Sequence, residues 1–273
     1  MAINKNELIF DKVRSIVFKD SSTLELKWRL TQIEDASLNC TAESDEVVDA
    51  MGAPITVFHR AKRANFSASN SLLSMDLAAA QFGTTKTVAS SGTGNTVTDY
   101  NYEILTIKAN AGTPTTYTVP ALQATPNAGS LKYIYAIENG DIGTAYALGT
   151  EVSATKFTLT GNQITLPTGL TSGKIYVEYA YESENAVKVT NYAEKFPEMG
   201  TAIIYCYFRD VCNENTVYSG KIISTRAKVN PESIDIALNS TGKHPFQIDF
   251  MRDYCDEDGE LFSIIVSQPP TNT

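Results

Sequence analysis

The stretch "ATKFTLTGNQITLPTGLTSGKIYVEYAYE", residues 154–182, alternates apolar and polar side chains almost without a break. Phe157 and Leu159 point one way, and Ile164 with Leu166, then Ile175, Val177, Tyr179 and Tyr181, repeat the pattern. A period of two belongs to a β-strand with one buried face. Gly161-Asn162 and Pro167-Thr168-Gly169 interrupt it with residues suited to tight turns.

The same pattern recurs along most of the chain. "YEILTIKA", "TTYTVPAL", "LKYIYAIE" and "KIYVEYAY" are separated by "NAGTPT", "QATPNAGS" and "NGDIGT". Short strands with such separators predict a sandwich or barrel. Further strands are expected in "SIVFKD", "AIIYCYFRDVC", "VYSGKIISTRAKV", "SIDIALN", "HPFQIDFM" and "LFSIIVSQ". In "TLELKWRLT", Leu24, Leu26, Trp28 and Leu30 share one face, opposite Glu25, Lys27, Arg29 and Thr31. In "SIDIAL", Ile234, Ile236 and Leu238 alternate with smaller or polar residues. Met51-Gly52-Ala53-Pro54 reads as a turn ahead of a strand over Ile55–His59.

One helix is expected, over about residues 70–82, in "SNSLLSMDLAAAQFG". Ser69 or Ser71 can cap it, and Gly83 can end it in the left-handed conformation. Leu73, Leu77 and Ala80 would form its packed stripe. The expected fold is therefore mainly β: a β-sandwich or barrel with one flanking α-helix and long loops. The Thr-, Ser- and Gly-rich residues 84–99 read as a flexible loop. A shift towards Tyr, Thr and Gly suggests an inserted or peripheral β module over 110–184, with 1–109 and 185–273 forming one domain.

Composition narrows the function. Apolar residues make up 42%, charged residues 19%, and the net charge is −9, so the chain has no general electrostatic reason to hold nucleic acid. No apolar run reaches membrane-spanning length, and "MAINKNELIFDKVRS" lacks the apolar stretch of a signal peptide. Cys40, Cys206, Cys212 and Cys255 show no close-pair framework, which predicts reduced thiols.

Residues that could carry chemistry are sparse. Only two histidines are present, His59 in a strand-like run and His244 before Pro245 in a turn, and no nucleophile-elbow glycines surround a serine. Cys206 and Cys212 lack zinc spacing. An EF-hand loop beginning at Asp256 would need glycine and glutamate where Leu261 and Ser267 stand, so Asp253, Asp256, Glu257 and Asp258 read as a solvated acidic turn, with Asp258-Gly259 a hairpin signal. "GTGN" within 92–95 lacks the setting of a phosphate loop. No enzyme, cofactor or metal site is expected. Arg60, Lys62 and Arg63, in "RAKR", form a basic knot that reads either as a solvated strand face or as an ion-pairing surface for another subunit.

Dense strands with few reactive groups suit a building protein, because open strand edges can pair with another chain. The sequence resembles the tail tube (major tail) proteins of long-tailed bacteriophages. The strand "LELKWRL", the block "DEVVDAMGAPITVFHRAKRANFSASNSLLSMDLAAAQFG", the central run from "LKYIYAIENG" to "IYVEYAYES", and the pair "HPFQIDFM" and "LFSIIV" carry that resemblance. It implies rings, usually of six, stacked into a hollow tube through which DNA passes without specific binding. It implies long loops bridging rings, assembly in the bacterial host cytoplasm and a place in the virion tail. The partners implied are further copies of the chain, then tail terminator, baseplate or tape-measure proteins, and a sheath protein where the tail contracts. Leu24, Leu26, Trp28 and Leu30 become candidates for the tube wall, and Arg60, Lys62 and Arg63 for an inter-subunit contact. Residues 84–99 become a candidate inter-ring loop. A virion decoration or adhesin-like β-sandwich protein is the alternative reading.

Overall fold

The computed structural model describes residues 7–92, 94–112, 114–211, 216–232, 234–236, 239, 242–254 and 259–267. The fold is mainly β, with curled sheets of the sandwich or barrel class. The chain forms two compact units, residues 1–86 with 189–273, and residues 87–188.

The first unit opens with β1 (Leu8–Asp20), β2 (Leu26–Leu30), β3 (Ile33–Val48), β4 (Pro54–Asn70) and α1 (Met75–Gln81). The second contains β5 (Thr87–Val88), β6 (Val97–Thr106), β7 (Lys108–Asn110), β8 (Thr116–Thr118), β9 (Tyr133–Glu138), β10 (Asp141–Leu148), β11 (Lys156–Thr160), β12 (Gln163–Thr165), β13 (Lys174–Ser183) and β14 (Val187–Lys188). The first unit resumes with β15 (Met199–Asp210), β16 (Val217–Val229), β17 (His244–Phe250) and β18 (Ser263–Ser267).

In the first unit the strand order is β2-β1-β15-β16-β17-β4-β3, with β18 pairing beside β16. The buried and half-buried residues of β15, β16 and β17 alternate, as a sheet packed on one face requires. Ile16, Phe18, Ile204, Ile222, Phe66, Phe246 and Ile248 belong to one core. Trp28 on β2 stacks on Phe18 at 5.2 Å and meets Phe246 on β17 edge-on at 6.4 Å. Four strand spacings separate β2 from β17, roughly 19 Å on a flat sheet. The ring contact therefore exists only because the sheet curls until its apolar face closes on itself.

β2 corrects the expectation for "TLELKWRLT". Trp28 and Leu30 are core residues at 3% exposure each, whereas Leu24 and Leu26 are 60% and 55% exposed. Leu24 is not in the strand. It has φ 58°, in the left-handed region that costs a branched side chain energy. The cause is Asp20, whose carboxylate accepts hydrogen bonds from the Ser22 and Thr23 amides and the Ser22 hydroxyl at 2.6–3.0 Å. The amide of Asp20 bonds the Glu25 carbonyl at 2.9 Å, so the chain turns through Leu24 before pairing resumes. The Ser22 hydroxyl and these amides, with Lys27, hold the Asp20 carboxyl well below the usual carboxylate range.

The helix is shorter than expected. Ser69 and Asn70 pair with Pro245 and His244 in the sheet, and the cap is Ser74, whose hydroxyl accepts from the Leu77 amide at 3.3 Å. Leu73 lies before the helix and is 58% exposed; Leu77 is buried. Gly83 follows the helix at φ 65°, and a β-carbon there would stand 2.3 Å from the Phe196 backbone. Glycine is needed there twice over, for its backbone angle and for the close approach.

A seven-residue helix is too short to be stable alone. His244, buried in the first position of β17, ties it to the sheet. Its Nδ1 accepts from the Ser74 amide at 3.3 Å, so the proton sits on Nε2 and is donated to Gln81 Oε1 at 2.7 Å. Gln81 Nε2 in turn donates to the Pro245 carbonyl at 3.0 Å. Burial pushes the His244 pKa down, because the imidazolium would be desolvated. Above about pH 6.5 the ring is neutral in both folded and unfolded chains, and its contribution to stability is fully present. As pH falls below that value the unfolded chain takes up the proton first, and the contribution is progressively lost. Urea midpoints should therefore decline as pH falls below about 6.5, and a His244→Gln variant should show a flatter profile there.

In the second unit the main sheet has the order β12-β11-β10-β9-β13-β6. Its members are antiparallel except β10 and β11. Leu105, Leu131, Ile134, Phe157, Ile164, Ile175, Val177 and Tyr179 belong to its core. Tyr179 donates to buried Glu103 at 2.5 Å, and Glu103 also accepts from the Gln123 amide at 2.9 Å. β10 was expected to be part of a separator. Instead Asn139 and Gly140 take φ 53° and 88°, the signature of a type I′ hairpin turn, and the chain returns as a strand.

The expected module of 110–184 and the compact unit of 87–188 differ in extent. β6 pairs with β13 along its whole length, which draws residues before 110 into the second unit. Residues 84–99 contain β5, a Ser90–Asn95 bridge and the start of β6, so they are not a single loop. Ile234–Ile236 form no strand, while Leu238 of that expected strand lies outside the described residues. So do Cys212, Cys255 and the acidic turn at Asp256, Glu257 and Asp258.

Candidate assembly surface

β3 and β4 form one long antiparallel hairpin, and only half of it has a core to pack on. In β4 the residues from Ala64 to Asn70 alternate between buried and half-buried, whereas all ten from Pro54 to Arg63 are exposed. In β3 every residue from Asn39 to Val48 is exposed. A strand exposed on both faces has left the packed sheet. The distal part, residues 41–63, is therefore a two-stranded arm, roughly 27 Å long at about 3.4 Å per residue.

Local chemistry shapes the arm. At its tip the Asp49 carboxylate accepts from the Met51 and Ala53 amides, each at 2.8 Å, and Gly52 takes φ 83°. These amides hold the Asp49 pKa below its ordinary value. The turn expected at Met51–Pro54 is present. At its base Thr41 faces Arg63 and Glu43 faces Arg60, so two residues, Ala61 and Lys62, oppose the single Ala42. Ala61 carries φ 50°, the left-handed residue of a β-bulge. A second bulge, with Asp35 at φ 51°, lies on β3 between Glu34 and Ser37. Bulges bend and twist a strand pair, so the arm leaves the sheet at an angle set by these two insertions.

The basic knot falls on this arm. Arg60 pairs with Asp45, and Arg63 with Glu43 at 3.1 Å, both across the hairpin. The partners found are therefore intrachain carboxylates. Such exposed pairs contribute about 0.2–1 kcal/mol each and fix the register more than the stability. Lys62 is exposed beside them. Leu24 and Leu26 are exposed elsewhere on the first unit, and Trp28 and Leu30 are buried in its core, so the seven candidate residues do not converge on one site.

Apolar side chains on the arm were missed by sequence reasoning as a group. Val47, Val48, Ile55, Val57 and Phe58 are 44–67% exposed, and Met51 is 93% exposed. Soluble proteins rarely leave such a cluster open without a partner for it. A two-stranded ribbon with no packed face is also marginal on its own. The usable signal was the clustering of Val47-Val48, Met51, Ile55 and Val57-Phe58 around a Gly-Ala-Pro turn, against flanks rich in charge. What the arrangement can do chemically is bury those side chains, and pair its open strand edges, against a second surface. Within the described residues no group of three or more His, Cys, Asp or Glu side chains could hold a metal ion.

A model of the YomU/Tube protein family matches residues 8–264. The chain belongs to that family. The match covers both units, including the whole arm, and places the chain among phage tube-like structural proteins. No curated protein matches it. No helix among the described residues is long and apolar enough to cross a membrane.

Proposed function

We propose that this YomU/Tube family chain is the subunit of a phage tail tube. Copies close into rings, of six by resemblance to tail tube proteins, and the rings stack into a hollow conduit for DNA. The observation that carries the reading is the β3–β4 arm, a ribbon exposed on both faces, with an apolar cluster around its tip and no core of its own, in a chain of a tube family. Closing the ring is a head-to-tail contact with a closed rotation, and stacking repeats without limit. The arm bridges to a neighbouring copy, where its apolar side chains leave water.

The net charge of −9 recurs in every subunit. An acidic bore repels phosphates, so DNA passes without adhering. Tail terminator, baseplate and tape-measure proteins close the two ends or fill the bore before ejection, and a sheath surrounds the tube where the tail contracts.

Negative-stain microscopy of the purified chain tests the reading. Rings or long tubes are the expected result; a compact monomer at every concentration would refute it. A density map of the tube with a basic or neutral bore would refute the electrostatic part alone.

A further inference from the structure

The second unit carries an aromatic face that lies outside the β3–β4 arm. Nine of the fourteen tyrosines lie within residues 87–188. On the face of its main sheet opposite the core, four of them form a row. Tyr102 on β6 stacks on Tyr176 of β13 at 6.0 Å. Tyr176 meets Tyr135 of β9 at 6.4 Å, and Tyr135 meets Tyr133 at 6.5 Å. Tyr100, two residues before Tyr102 on the same face, is 74% exposed, and Tyr102 is 66% exposed. Ile104 extends the apolar surface at 53% exposure.

The two faces of this sheet treat the phenol group differently. Towards the core, Tyr179 spends its hydroxyl on Glu103, and Tyr181 donates to Asp99 at 2.9 Å. On the outer face the hydroxyls of Tyr100, Tyr102, Tyr133 and Tyr135 have no hydrogen-bond partner among the described residues. Tyr176 donates to the exposed Glu178 carboxylate at 3.1 Å, which leaves that carboxylate with further accepting capacity. The outer face thus alternates aromatic surface with hydroxyls that can both donate and accept. An acidic acceptor stands in its middle.

We propose that this face is a binding platform for an uncharged saccharide chain. A sugar ring has the matching pattern: a C–H face that packs on an aromatic ring, rimmed by hydroxyls that pair with phenols and carboxylates. Exposed tyrosines supply such contact at small entropic cost, because two torsions fix each ring. Charge argues against nucleic acid or a phosphate polymer, since the unit has eight acidic and five basic residues. The inference does not depend on tube formation.

The test is binding of the labelled full chain to a printed array of neutral hexasaccharides, with affinities then measured for those that bind. Binding should weaken about tenfold or more in Tyr102→Ala and in Tyr176→Ala, with the far-UV spectrum unchanged. Tyr181→Phe, on the core side, should bind as the parent does. Retention of none of the hexasaccharides, or binding indifferent to both alanine changes, would overturn the proposal. So would concentration-dependent self-association that Tyr102→Ala abolishes, which would make the face a contact between copies.

Discussion

Excision of residues 42–62, with Thr41 joined to Arg63 through an Asn-Gly turn, should leave a folded chain that forms no tubes. Thr41 and Arg63 already face each other, so a two-residue turn of the type suited to hairpins closes the shortened ribbon. The excised residues are exposed throughout and contribute nothing to the core of the first unit. Shortening an exposed connection changes its closure entropy only slowly with length. The thermal midpoint and the circular dichroism spectrum should therefore stay close to those of the parent. Assembly should not survive, because the excision removes Val47, Val48, Met51, Ile55, Val57 and Phe58 together with the bulge that aims them. Microscopy reads the second outcome. Tubes formed by the shortened chain would show that the arm is dispensable, and collapse of the monomer would show that it is structural.

The second expected result contrasts two phenylalanines on one strand. Phe66 is 2% exposed, in the core beside Phe246 at 6.5 Å between ring centres; Phe58, eight residues earlier, is 60% exposed. Phe66→Ala should cost about 3–5 kcal/mol, the lost transfer energy plus the cavity left behind. For a unit of this size that lowers the midpoint by roughly 6–20 °C. Phe58→Ala should change monomer stability by about 0.5 kcal/mol or less but raise the concentration needed for assembly. Urea titration of each variant, with microscopy across a dilution series, separates the two effects. Equal stability losses would mean that the distal arm packs on its own unit after all.

The strands that read clearly from sequence are those with one buried face. β13, β15, β16 and β17 alternate because burial selects every second side chain, and that selection leaves a local trace. Gly83 was legible for a similar reason, since a left-handed residue after a helix leaves few choices. The distal part of β3 left no such trace. With both faces exposed, nothing selects an alternation, and "NCTAESDEVV" shows no sustained one. Leu24 misled in the opposite direction. It continues the alternation of Leu26 and Trp28, but the Asp20 carboxylate gathers the intervening amides into a turn and pulls it out of the strand.

The candidate surface was legible in its parts and not in its assembly. Arg60 and Arg63 stood out as a basic cluster, yet their partners, Asp45 and Glu43, are set by a hairpin register that a single bulge displaces. From its own sequence the chain's mainly β class, many of its turns and a helix ending before Gly83 could be read, because period and turn chemistry act over a few residues. Only the tertiary structure decided that Trp28 closes on Phe246 and that β6 belongs with β13. It also decided that the ribbon from 41 to 63 runs past its core. Those facts depend on pairings between distant segments and on how far a sheet curls, neither of which any one stretch of the sequence encodes.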